Sequence, residues 1–313
     1  MAIEPTGMLR RGAWLGGTLK QSAIQLSSIS RLFSPGVFRE MAKKGRSATF
    51  ARLFAATGLA DFNDSEQTVG SAFDAAFSAL RRSGLRDEYV YRSALTHNIL
   101  LGRHSLKTAS MLTEFRVGSC KADLAILNGT ATVYEIKSDR DSLARLENQI
   151  ANYKKVFAKI YVIAGEAHVQ EVLKNTPSDV GVLSLVRWNR IQTLREAADR
   201  SANVCPVAIF ESLRVAEART ILKSLKVDVP NVPNTMLHSA MRHCFSGLNP
   251  TEVHGFMVKT LKHTRNLETL GSLVSQLPAS LQPAALSVQV PRGDHERLVR
   301  AIHTPLHVAM AWG

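Results

Sequence analysis

Between residues 47 and 101 the apolar positions recur every three to four residues. Val69, Phe73, Ala76, Phe77 and Leu80 form one such stripe, so residues 67–83 are expected to be a helix that stops at Ser83-Gly84. Residues 47–58 read the same way, as do 87–101, with Tyr89, Leu95 and Ile99 on one side. At Thr113 the period changes. Residues 113–118 are strand-like, and two β-rich runs, 121–127 and 130–137, flank Asn128-Gly129. Asn-Gly between apolar runs is a strong short-range hairpin signal. Ser138 and Asp139 offer helix caps, and Leu143, Leu146, Ile150, Tyr153 and Phe157 trace one face of a helix. A buried strand over 160–164, a short helix over 167–174 and a last strand over 181–186 follow. A strand, crossover helix and strand predict a right-handed unit with parallel strands. From residue 206 the pattern is helical, punctuated by Pro230, Pro233 and Pro250, with a Pro/Ser/Gln-containing stretch over 277–293. The fold class is therefore α/β, a mixed sheet flanked by helices with helical N- and C-terminal regions. The expected division is 1–85, 86–204 and 205–313.

The hairpin register decides which side chains share a face. With Asn128-Gly129 as a two-residue loop, Asp123 stands opposite Tyr134, and Glu135 and Lys137 point to the other face. With Leu127-Asn128-Gly129 as a three-residue loop and Gly129 left-handed, Asp123 stands opposite Val133. Asp123, Glu135 and Lys137 then share one face, and Leu124, Ile126, Tyr134 and Ile136 share the other. The apolar pattern favours this second register, which predicts positive φ at Gly129 and sorts the hairpin into a wet face and a dry one.

Composition adds a bias in partners. Hydrophobic residues at 45% and charged residues at 21% are ordinary globular values, which excludes disorder throughout. A net charge of +13 favours polyanions: nucleic acid first, an acidic membrane surface second. Residues 1–60 hold nine Lys/Arg against two Asp/Glu, with no acidic residue between Glu4 and Glu40. Residues 1–46 are expected to be a basic arm lying on nucleic acid, although the same composition suits an organelle transit peptide. Three cysteines (Cys120, Cys205 and Cys244) without a Cys-x-x-Cys pair exclude a disulfide framework and fit a cytoplasmic, reducing setting. No apolar run reaches the ~20 residues that cross a bilayer, so no membrane partner is expected. A homodimer is compatible with the sequence, which specifies no oligomeric state.

The chemistry concentrates in Glu114, Asp123 and Glu135-Ile136-Lys137. Phosphodiester hydrolysis needs charge neutralised on the phosphate and a water made nucleophilic. Bound Mg²⁺ or Mn²⁺ does both, and hard cations select carboxylate oxygens. Asp123 and Glu135 on neighbouring strands are suited to share such an ion, with Glu114 as an added ligand. Lys137 lies two residues along the same face and is placed to reach the water or the phosphate. Two carboxylates a few Å apart repel without a cation between them.

Asp123, a twelve-residue interval and Glu135-Ile136-Lys137 on paired strands resemble the PD-(D/E)XK nuclease superfamily. The run Glu135-Ile-Lys-Ser-Asp-x-Asp-x-Leu-x-Arg-Leu-x-x-Gln149 is similar to a narrower group of small bacterial and phage-borne members. Gln149-x-x-x-Tyr153 is similar to the helix motif of RecB-type nucleases, where these residues lie beside the active site. The resemblance spans residues 88–200, with Ala122 where the superfamily's name has Pro. It implies a restriction-endonuclease-like α-β-β-β-α-β core, divalent-cation chemistry and a catalytic set of Asp123, Glu135, Lys137 and Gln149. The function expected is a metal-dependent nuclease acting on DNA. The alternative is a nucleic-acid-binding or regulatory protein that keeps the nuclease fold without cutting.

Bland readings stand beside these. Asp123, Glu135 and Lys137 also describe a cross-strand ion pair on a solvated sheet face. Tyr153 also fits as a core aromatic, and Asp141 and Arg145 as helix-surface charges. His238, His243, Cys244, His254 and His263 match no standard zinc spacing, and no metal is expected there.

Overall fold

A computed structural model describes residues 23–59, 66–82 and 86–313, and the statements below concern those residues. Five helices precede the sheet: α1 (Ala23–Leu32), α2 (Pro35–Lys44), α3 (Ala48–Ala55), α4 (Val69–Leu80) and α5 (Glu88–Leu95). Local chemistry sets their ends. Ser47 and Asp87 each accept a hydrogen bond from the backbone N–H three residues on, at 2.9 and 3.3 Å, and Thr68 and Ser71 cap α4 reciprocally. Gly45, at φ 70°, ends α2 in the left-handed conformation that glycine adopts without a Cβ clash. Helix α5 runs on into a π-helical turn over Thr96–Leu101.

Six strands form one sheet in sequential order: β1 (Ser110–Val117), β2 (Cys120–Asn128), β3 (Thr130–Lys137), β4 (Lys159–Ala164), β5 (Gly181–Leu185) and β6 (Ile191–Arg195). β1, β2 and β3 are antiparallel, β3, β4 and β5 are parallel, and β6 returns antiparallel. The parallel steps cross over through α6 (Leu146–Tyr153) and α7 (Val169–Asn175). Eight helices complete the fold: α8 (Pro206–Glu211), α9 (Val215–Ser224), α10 (Asn234–Ser246), α11 (Pro250–Thr264), α12 (Gly271–Gln276), α13 (Gln282–Ser287), α14 (His295–His303) and α15 (Leu306–Ala309). None of the described helices is long and apolar enough to cross a membrane.

Both faces of the sheet are buried. Leu124, Ile126, Tyr134, Ile136 and Ile163 pack into one core with α1–α5 and α12–α15. Ala125, Leu127, Val133, Val162 and Val182 pack into a second core with α6–α11. The two ends of the chain thus meet on the same face, where the Leu306 N–H donates to the Gln67 carbonyl at 2.7 Å.

Four expectations need correction. First, the described part of the proposed basic arm, from residue 23, is two packed helices. Ile29, Leu32, Phe33, Val37, Phe38 and Met41 are all buried, and Phe33 stacks on Tyr89 with ring centroids 4.5 Å apart. Their helical spacing was masked by the intervening Ser and Arg. Second, the helix traced by Leu143–Phe157 is shorter, Leu146–Tyr153. Ser138 does not cap it; Asp141 instead accepts hydrogen bonds from the Ser138 N–H and hydroxyl at 2.8 and 2.7 Å, shaping an irregular loop. Third, β6 follows the strand expected to be last, in a sequence with too few apolar positions to announce it. Fourth, the hairpin pairs Asn128 with Thr130 around Gly129 alone. Gly129 has the expected positive φ, at 70°. This register differs from the favoured one by two residues, so the same residues share a face. Asp123, however, comes level with Glu135 instead of Val133. Most of the face they share is not wet, because α6 and α11 pack on β2 and β3 there, and of the three only Asp123 stays partly exposed.

Candidate active site

Strand pairing is interrupted where the acidic residues sit. Between β1 and β2, Thr113 pairs with Leu124 and Phe115 with Ala122, and the Glu114–Asp123 position between them is skipped. Side-chain alternation breaks there too. Leu112 and Phe115, three residues apart, lie in the same core, and so do Ala122 and Ala125. Glu114 has φ 54°, a left-handed conformation that costs a non-glycine residue about 1–2 kcal/mol. Such strain concentrates at functional sites. On the other side of β2, pairing with β3 ends at Leu124–Tyr134. Beyond that point the Ile136 N–H has no β2 carbonyl, and it donates to Asp123 Oδ2 at 2.8 Å instead.

The site has two halves joined at Asp123. In the first, carboxylate oxygens of Glu88, Glu114 and Asp123 lie within 4.8 Å of one another. Glu88 opens α5 and bonds Arg92 one turn on. Glu114 pairs with Lys121 at 3.4 Å. In the second half, Glu135 is 1% exposed and Lys137 5% exposed, so both are buried charges. Lys137 Nζ donates to Glu135 Oε1 and to Gln149 Oε1, each at 2.9 Å. Gln149 also donates to Glu135 Oε1, and the Tyr153 hydroxyl donates to Glu135 Oε2 at 2.8 Å. Tyr153 is therefore both the core aromatic and a site residue. An ammonium has three donors, and the third N–H of Lys137 has no partner among the described residues.

Of the residues expected to hold a cation, Asp123 and Glu114 come together. Glu135 lies outside their cluster, its oxygens turned to Lys137, Gln149 and Tyr153. Glu88 takes the third place. No local pattern selects it, since an acidic residue in a helix's first turn is ordinary. A cleft of about 430 Å³ opens onto the site, lined by Glu114, Asp123 and Gln149 with Arg116, Lys121 and Arg145. Arg145 thus contributes to the cleft, while Glu135 and Lys137 sit behind its wall.

Burial, and next the negative charge of Glu135, push the Asp123 carboxyl up to about 8, against smaller lowering by the Ile136 N–H and Lys137. Burial also raises Glu135, opposed by Lys137, Tyr153 and Gln149. The donors suit a hard divalent cation: three carboxylates converge, and one of them stays protonated at neutral pH unless positive charge arrives. A pH dependence follows. Asp123 titrates near 3.8 when unfolded and near 8 when folded, so between those values the folded state binds the extra proton. Stability without cation therefore falls as pH rises from about 4 to 8. Thermal melts in EDTA should show this fall, and Asp123→Asn should flatten it. A stability that rises across that window in the wild type alone would refute the assignment.

Comparison with known proteins places the chain in a family. It belongs to the family described as bacteriophage P4 protein cII, whose model matches residues 81–277. Protein cII of Enterobacteria phage P4 is 41% identical over 201 residues, 61% of this chain and 74% of that protein. A solved protein of unknown function from Silicibacter pomeroyi overlaps 38% of this chain and 80% of its own, at 17% identity and a TM-score of 0.27. The family match takes in β1–β6 and every residue of the candidate site.

Proposed function

We propose that this protein is a divalent-cation-dependent nuclease, with a restriction-endonuclease-like core, hydrolysing phosphodiester bonds in DNA. The observation that carries the reading is the buried Glu135–Lys137–Gln149 network set directly behind the Glu88–Glu114–Asp123 carboxylates. An ion pair that served only the sheet would need neither the converging acids nor the strained Glu114. Glu88, Glu114 and Asp123 would hold Mg²⁺ or Mn²⁺, which when bound neutralises charge on the phosphate. Glu135 and Gln149 fix the Lys137 ammonium, leaving one N–H to stabilise charge that develops on a phosphate oxygen or on the attacking water. Reaching substrate requires the Gln149 side chain to turn aside. Tyr153 holds Glu135 from the core side, so the Glu135–Lys137 pair stays aligned while Gln149 moves.

The closure of Glu135 and Lys137 behind the cleft wall favours a second reading, a nucleic-acid-binding or regulatory protein that does not cut. Incubation with plasmid, linear, single-stranded and branched DNA in Mg²⁺, Mn²⁺ or EDTA separates the two. Cutting that needs the cation is expected. Binding without product in every cation condition would establish the second reading.

A further inference from the structure

A second cleft, of about 670 Å³, shares Glu114 with the first and runs along the open edge of β1 at Met111–Glu114. Its walls come from both ends of the chain: α2, the segment 264–270 and the segment 286–290. Four arginines line it (Arg39, Arg92, Arg214 and Arg265), and Glu114 is its single carboxylate. Two of these arginines are committed within the protein. Arg92 bonds Glu88, and Arg265 grips both oxygens of the buried Glu217 at 3.0 and 2.9 Å, over the Phe115 ring. Arg39 and Arg214 are exposed, and neither guanidinium has a carboxylate partner among the described residues. Guanidinium groups that face a groove and have no carboxylate partner are suited to phosphate oxygens. Thr264, Asn266 and Gln289 add neutral hydrogen-bonding groups along the same walls.

We infer that this trough is the track for the nucleic-acid backbone: Arg39 and Arg214 hold phosphates and lead the strand past Glu114 to the acidic cluster. Its direction rests on the nuclease reading, whereas the phosphate contacts do not. The N- and C-terminal segments thus take a direct part in substrate binding. Their convergence on one sheet face builds a groove that β1 alone could not form.

The test measures binding in EDTA, where a cation-dependent enzyme does not cut. Labelled single-stranded and duplex oligonucleotides are titrated between 50 and 200 mM salt with three proteins: wild type, Arg39→Ala/Arg214→Ala, and Lys174→Ala/Arg190→Ala. The last removes equal charge from α7, packed on β4 and β5, and from the residue just before β6 at the opposite sheet edge. The trough pair should weaken binding about tenfold or more. Its salt slope should flatten by roughly 1.4 units for a single strand or 1.8 for a duplex, the loss of two phosphate contacts. The control pair should change affinity less than about threefold, and the form of DNA whose binding falls is the form the groove holds. Equal losses in the two pairs, or no binding by the wild type, would overturn the inference. If the wild type never cuts while only the trough pair loses binding, the nuclease reading fails and the groove stands. If the wild type cuts with cation and both pairs bind alike, the groove fails and the nuclease reading stands.

Discussion

Deleting residues 1–46 is expected to abolish folding, not merely to loosen a grip on nucleic acid. The deletion removes α1 and α2, and with them Ile29, Leu32, Phe33, Val37, Phe38 and Met41, all buried. At about 1.5–3 kcal/mol for each large apolar side chain, the loss is on the order of 10 kcal/mol. A domain's whole stability is about 5–15 kcal/mol. Arg297 would also lose its acceptors at the Ala42 and Lys43 carbonyls, the latter at 2.8 Å. The truncated chain should show no cooperative thermal transition by circular dichroism and should collect in the insoluble fraction. A soluble truncated protein that melts at the wild-type temperature would show that α1 and α2 are dispensable to the core.

The second large effect is at Lys137. Replacing it with Ala leaves Glu135 buried with no counter-ion, which costs about 3–5 kcal/mol when the partner stays charged. Acid offsets part of that loss: a Glu135 without Lys137 binds a proton more readily, so the variant recovers stability as pH falls. Lys137→Ala combined with Glu135→Gln should be more stable than Lys137→Ala alone, because the stranded charge is gone. Denaturant unfolding at pH 5 and pH 8 reads all of this. Both variants should also lose turnover, so stability and activity part company in the double variant. A Lys137→Ala protein as stable as the wild type at pH 8 would mean that the pair is solvated, contrary to its burial.

The hairpin and the parallel strands were legible because Asn128-Gly129 and the 160–164 run carry period-two and buried-strand signals that few other structures satisfy. Asp123, Glu135 and Lys137 could be placed on one face because face-sharing depends only on register parity, and the two-residue error at the turn preserved it. Glu88 stayed hidden, since α5 packs on β3 and its carboxylate meets Glu114 and Asp123 only through the tertiary fold, and no local pattern encodes that contact. The N-terminal helices were misread for a different reason. A basic, serine-rich surface dominates the composition, while their buried stripe is short and broken at Pro35-Gly36. The return of α12–α15 to the N-terminal face is a long-range packing outcome, and helical periodicity says nothing about which face a helix will cover.

Everything in the proposed function turns on Asp123 as part of a cation-dependent cutting centre. The most direct measurement is single-turnover cleavage of DNA by wild type and Asp123→Asn, each with saturating Mg²⁺ or Mn²⁺ and each with EDTA. Asn keeps the size of the side chain and an acceptor for the Ile136 N–H, while removing the ligand charge. Expected are products from the wild type only with cation, and at least a hundredfold slower cleavage by Asp123→Asn at unchanged DNA retention in EDTA. Cation-dependent cleavage at the wild-type rate by Asp123→Asn would contradict the site, and no cleavage by the wild type under any condition would contradict the function.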